Sequence, residues 1–176
     1  MKSSSVNHVT FDAADLRLLA LLQHDAGQSN QELAAQAHLS TATCLRRVRR
    51  LTELGVIRAR VALLDPDRLG PSIQVVCEVT LDRQGLEHVE AFERLVMAHP
   101  AVRQCYRVSP GPDLVLVAEA ADMPAWTGVV AELFTQQANV RNVKTFFVLR
   151  RTKYDTSSLL PSPPEAAATS YRWAPG

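Results

Sequence analysis

Nowhere does the chain of 176 residues hold an apolar run near the ~20 residues that a membrane-crossing helix requires. The opening stretch, Met1-Lys2-Ser3-Ser4-Ser5-Val6-Asn7-His8, has one positive side chain and no apolar segment. No secretory signal is read there, and a cytoplasmic protein without a membrane partner is expected. Cysteine is scarce: Cys44, Cys77 and Cys105 form an odd set, spaced 33 and 28 apart. That suits neither a disulfide framework nor a paired-thiolate metal site, and each reads as a small buried hydrophobe. The histidines, His8, His24, His38, His88 and His99, show no HxxH or HExxH spacing, so neither a metal nor any other cofactor is expected. No nucleophile–base constellation is evident either, which argues against an enzyme. With 47% apolar and 21% charged residues, the chain reads as a soluble globular protein of one large or two small domains.

The net charge of +1 points to no partner, but its distribution does. Residues 40–60 carry Arg46, Arg47, Arg49, Arg50, Arg58 and Arg60 against the single Glu53. A positive patch on an otherwise neutral molecule is the footprint of a DNA reader. Around it the helix signals are clear. Asp12 caps a first helix, in which Asp15 complements the positive end and Leu18, Leu19 and Leu22 form an apolar stripe; Gly27 follows as a stop. Ser29-Asn30-Gln31-Glu32 is a capping box opening a short helix to about His38. Ser40 caps a third helix that ends before Gly55. On a wheel at 100° per residue, Cys44, Leu45, Val48 and Leu51 share an inner face, while Arg46 and Arg50 lie opposite.

A short helix, a tight turn and a second helix with a basic outer face describe a helix-turn-helix. Thr41, Ala42, Thr43, Arg46 and Arg47, behind the capping Ser40, are the expected readers of base edges in the major groove of double-stranded DNA. Arg49 and Arg50 are the expected phosphate anchors. A merely solvated helix face would use lysine and glutamate equally well; this one is all arginine, whose planar fork suits phosphate and guanine. Gly55-Val56-Ile57-Arg58-Ala59-Arg60-Val61 is β-rich and reads as a short strand or wing leading into a linker.

From Pro71 the period changes. Ile73, Val75, Cys77, Val79 and Leu81 alternate with Gln74, Val76, Glu78 and Thr80 in a half-buried strand. A helix is expected over 86–98, strands over 102–108 and 113–120, a helix over 123–137 and a last strand over 140–150. The order β-α-β-β-α-β is the ferredoxin-like arrangement, with both helices on one face of an antiparallel sheet. Its other face needs cover, which a second copy usually provides. From Tyr154 the tail is rich in Ser and Pro and reads as loosely ordered, although Tyr171 and Trp173 could dock on a neighbour.

These two halves together resemble the leucine-responsive/asparagine-regulator (Lrp/AsnC, or feast-or-famine) family over roughly residues 11–160. The resemblance rests on Phe11-Asp12 through Leu22, on Asn30-Gln31-Glu32-Leu33-Ala34 and on Leu39 through Leu51. Gly55-Val56-Ile57 and Leu64-Asp65-Pro66 extend it. It implies an α+β fold, a winged helix-turn-helix domain (1–60) joined by a linker strand or hinge (61–71) to a ferredoxin-like effector-binding and oligomerisation domain (72–153). A C-terminal extension (154–176) follows. The implied function is transcription regulation by a homodimer, assembling to an octamer, whose assembly or DNA affinity responds to an amino acid or related metabolite.

The family's effector turn, Gly-x-x-Asp, corresponds here to Pro110-Gly111-Pro112-Asp113. Asp113 is kept, but Pro110 takes the glycine's place and removes an N–H. Such a loop holds a different effector or none. Ser109, Gly111, Asp113 and Phe146 are the implied effector residues; Phe146 and Phe147 also read as core or interface. Two alternatives accompany this reading: an architectural DNA-binding protein without effector, and a sirohaem-decarboxylase-like enzyme, against which the full set of arginines speaks.

Overall fold

The computed structural model describes residues 9–162, which form two compact units: 9–63 together with 154–162, and 64–153. The expectations for Met1 to His8, and for Tyr171 and Trp173 as docking residues, lie outside the described residues.

The first unit is built on α1 (Ala13–His24), α2 (Asn30–Gln36) and α3 (Thr41–Glu53). Each helix starts where the sequence places a cap. Asp12 accepts from the Asp15 N–H at 2.8 Å, Ser29 forms its capping box with Glu32, and the Ser40 hydroxyl accepts from the Thr43 N–H. Leu18, Leu33, Ala34, Ala37, Cys44 and Val48 make the core, and the small alanines let the helices approach closely. His38, in the turn before α3, has a positive φ of 57°, so the chain reverses there without a glycine.

Beyond α3 the expected strand does not form. The Val56 and Ile57 N–H groups both donate to the Leu51 carbonyl, which wraps residues 55–57 onto the helix end and packs Ile57 on the core. No strand occurs within 55–65, and the expected hinge contains only a 3-10 turn, Pro66–Arg68. β-rich composition yields a strand only where a neighbouring strand takes its hydrogen bonds. The segment 154–162 is irregular and is grouped with the first unit. There the Gln23 side-chain amide donates to the Ser158 carbonyl, and its oxygen accepts from the Ser158 N–H.

The second unit runs β1 (Ile73–Leu81), α4 (Leu86–Ala98), β2 (Val102–Arg107), β3 (Leu114–Ala120), α5 (Met123–Val130) and β4 (Val140–Phe147). A π-helical turn, Ala131–Thr135, continues α5, so the helical segment stops two residues short of the expected 137. The four strands lie in the order β2-β3-β1-β4, all antiparallel. Alternation does the sorting. Val75, Cys77, Val79 and Leu81 of β1 and Leu114, Leu116 and Ala118 of β3 face the helices, where Phe92, Val96, Trp126 and Leu133 complete the core.

Candidate functional site

Helix α3 is held by a narrow stripe, Cys44, Val48 and Leu51, spaced to fall on one side. Most of the rest of the helix is turned outward. Thr41, Ala42, Arg46, Arg49 and Arg50 are exposed as expected, and Ser40 spends its hydroxyl on the cap and on the Thr43 side chain at 2.8 Å. Leu45 departs from the expected inner face: it is 49% exposed, because the three-helix core is too small to cover a residue 100° from its seam.

Arg47 also departs from its expected place. Its Nη1 donates to Asp12 and to Asp15, both at 2.8 Å, and the side chain is only 23% exposed. Arg50 donates to the second Asp15 oxygen at 3.0 Å while keeping about half of its side chain, 47%, in solvent. The sequence marks Asp12 as a cap and Asp15 as a dipole partner, but both carboxylates also reach α3. Their i, i+3 spacing opposite an arginine-rich helix was the available signal, but only the helix crossing brings the groups together. Burial works against the charge on Asp12, yet the Asp15 N–H and the Arg47 guanidinium outweigh it and hold the carboxyl below its ordinary value. The hydrogen bonds that Arg47 donates to Asp15 and Asp12 raise its own pKa. The carboxylates, Phe11, Arg46, Arg47 and Arg50 border an open cleft of about 470 Å³.

In the second unit the turn after β2 is tightly made. The Val108 N–H donates to the Asp113 carbonyl, the Asp113 N–H to Val79, and Gly111 adopts a φ of 125° that side chains resist. The Asp113 carboxylate accepts from the Leu81 N–H at 2.7 Å, so it clamps the end of β1. Ser109 is exposed.

Phe146 does not join these residues. It pairs with Val76 on β1, three positions from the Val79 that receives Asp113, roughly 10 Å away along the strand. It lies instead on the sheet face without helices. Two rows cross that face: Gln104–Val117–Val76–Phe146 and Tyr106–Val115–Glu78–Lys144. Phe146 and Tyr106 are each 51% exposed there. Cys44 and Cys77 are buried, and burial pushes both thiols up.

Residues 11–58 match the family model of a winged helix-turn-helix DNA-binding domain, and residues 74–158 that of the Lrp/AsnC ligand binding domain. The leucine-responsive regulatory protein of Rhizobium meliloti is 36% identical over 148 residues, covering 84% of this chain and 95% of that protein. This chain belongs to the Lrp/AsnC family of transcriptional regulators. The leucine-responsive regulatory protein of Escherichia coli is 34% identical over 142 residues, 81% of this chain and 87% of its own. Among solved structures, the complex of a Neisseria meningitidis transcriptional regulator with L-Met superposes with a TM-score of 0.77 at 30% identity, over 85% of this chain and 97% of that one.

The expected fold class therefore holds: a winged helix-turn-helix unit and an α+β unit with a four-stranded antiparallel sheet. As an Lrp/AsnC regulator the chain binds DNA and is modulated by a small effector through its ligand-binding domain. Among the described residues no helix is long and apolar enough to cross a membrane.

Proposed function

We propose that this Lrp/AsnC regulator binds its operator as a symmetric dimer, with α3 of each copy in the major groove, and that a neutral amino acid alters this binding. The outer face of α3 carries the reading: an anchored helix presenting short side chains and arginines, with two further arginines held back by carboxylates. Thr41, Ala42, Thr43 and Arg46 read base edges, and Leu45 adds an apolar contact for a thymine methyl. Arg49 and the solvent-facing part of Arg50 fix the register on phosphates. Arg47 leaves the reading set because two carboxylates hold it.

The sheet face centred on Val76 and Val117 is covered by a second copy, and dimers associate further, toward octamers. Ser109, Gly111 and Asp113 stand apart from Phe146 within one chain, so an effector site using all four draws them from different copies. The regulator with L-Met makes that amino acid the first probe. The protein acts in the cytoplasm and catalyses no reaction.

The test starts from a duplex that the wild-type protein selects from a random-core library. On it, Arg46→Ala is expected to lose about 1–3 kcal/mol of binding and to relax base preference. Unchanged affinity and preference would remove α3 as the reader. A thermal-shift screen of the twenty amino acids, beginning with L-Met, is expected to add roughly 2.7 kcal/mol of stability at 100 times Kd. No shift with any of them would leave a DNA binder without an amino-acid effector.

A further inference from the structure

Asp15 is a charged side chain at 2% exposure, set on α1 against the outward helix α3. Desolvating a carboxylate costs several kcal/mol, and a buried ion pair often stabilises no better than apolar residues of the same volume. Asp15 also closes the α1 capping box, accepting from the Asp12 N–H at 3.4 Å, but that role does not call for two arginines. Its partners are informative: one oxygen takes Arg47 and the other takes Arg50, whereas Arg46, on the same helix, is exposed with no carboxylate bonded to it among the ion pairs described.

An arginine free to reach phosphate strengthens binding to every sequence alike and steepens its salt dependence. Each arginine withheld from phosphate lowers the sequence-independent term and leaves base reading intact.

We propose that Asp15 is a positioning residue that limits the sequence-independent grip on DNA: it takes Arg47, and part of Arg50, out of the DNA-facing charge and leaves base reading to Arg46. Asp12 assists by accepting from the same Nη1 of Arg47. The proposal rests on α3 being the recognition helix. It needs no contact between Asp15 and DNA.

The experiment uses the full chain, the selected duplex and a scrambled duplex of equal length, titrated from about 50 to 200 mM salt, where phosphate contacts register strongly. Asp15→Asn is expected to bind the scrambled duplex more tightly, with a salt slope steeper by about 0.9 for each arginine released. The operator-to-scrambled ratio should stay at the wild-type value, because a phosphate contact strengthens both duplexes alike. Arg47→Met should leave the scrambled-duplex slope at the wild-type value. Adding Arg47→Met to Asp15→Asn should remove about 0.9 of the gained slope.

A cooperatively melting Asp15→Asn protein with an unchanged salt slope overturns the proposal and leaves Asp15 a packing residue. Should Asp15→Asn fail to fold, Arg47→Met decides. An unchanged slope then supports the proposal, and a slope lowered by about 0.9 shows Arg47 already on phosphate and overturns it. Arg46→Ala keeps the two readings separate: if it leaves operator preference intact, the recognition role of α3 has failed, while the slopes still report whether Asp15 withholds charge.

Discussion

Each unit of this regulator leaves one face open, and the two faces differ in chemistry. In the first, the outer side of α3 is polar and cationic, with Arg46 and Arg49 in solvent. In the second, the sheet surface away from the helices centres on Val76, Val115 and Val117, with Phe146 at the edge of a row. A guanidinium face is comfortable in water and gains mainly when a polyanion releases its counterions. An apolar sheet face gains by leaving water altogether. The same incompleteness thus calls for different cover: DNA on one unit and, as proposed here, a second copy on the other. The first unit also manages its charge from within, through Asp12 and Asp15. The second places ion pairs on its open face, Lys144–Glu78 at 3.8 Å and Arg103–Glu119 at 3.3 Å, which favour a particular register for whatever packs there.

The largest test of this contrast removes core volume from each unit in turn. Leu18→Ala and Leu116→Ala delete side chains that are 0% and 1% exposed, and each is expected to destabilise its own unit by about 2–5 kcal/mol. Trp126, 3% exposed in α5, is the fluorescence probe of the second unit during denaturant unfolding. Leu116→Ala should move its transition and Leu18→Ala should not; equal movement would mean that the two units melt as one.

A smaller effect is expected at the two open faces. Val76→Glu should weaken self-association at least tenfold in sedimentation equilibrium, since an unpaired charge in an apolar interface costs well over 1.4 kcal/mol. Arg49→Ala should leave the assembled mass unchanged and lower the salt slope of DNA binding by about 0.9. An exchange of these outcomes would reverse the assignment of the faces.

The smallest effect is a pH dependence confined to the first unit. The carboxyl of Asp12 is held below its ordinary value in the folded chain, so its contribution is fully present above about pH 4. It is lost as the pH falls from there through the lowered folded value. Helix content followed by circular dichroism should show a shallow loss of first-unit stability in that window, and Asp12→Asn should flatten it.

How far the chain could be read residue by residue depends on how local the physics was. The Ser29–Glu32 capping box, the caps at Asp12 and Ser40, and helix α4 all stand where the sequence places them, because a cap is decided within three residues and an amphipathic stripe within a few turns. The strand expected after Gly55 failed, because its amides found the Leu51 carbonyl before any partner strand. The helical wheel places Leu45 inside, yet it gives direction without saying how far the neighbouring helices extend. The family resemblance joins Phe146 to the Asp113 turn, and strand register separates them within one chain.

By itself, then, the sequence determined the two periodicities, the caps, the order of elements and the concentration of arginine on one helix, all consequences of chemistry between near neighbours. Only the tertiary structure decided which of those arginines faces outward. Arg46 and Arg47 are adjacent in the chain but 100° apart around the helix, and the crossing of α1 sets two carboxylates against one of them and not the other.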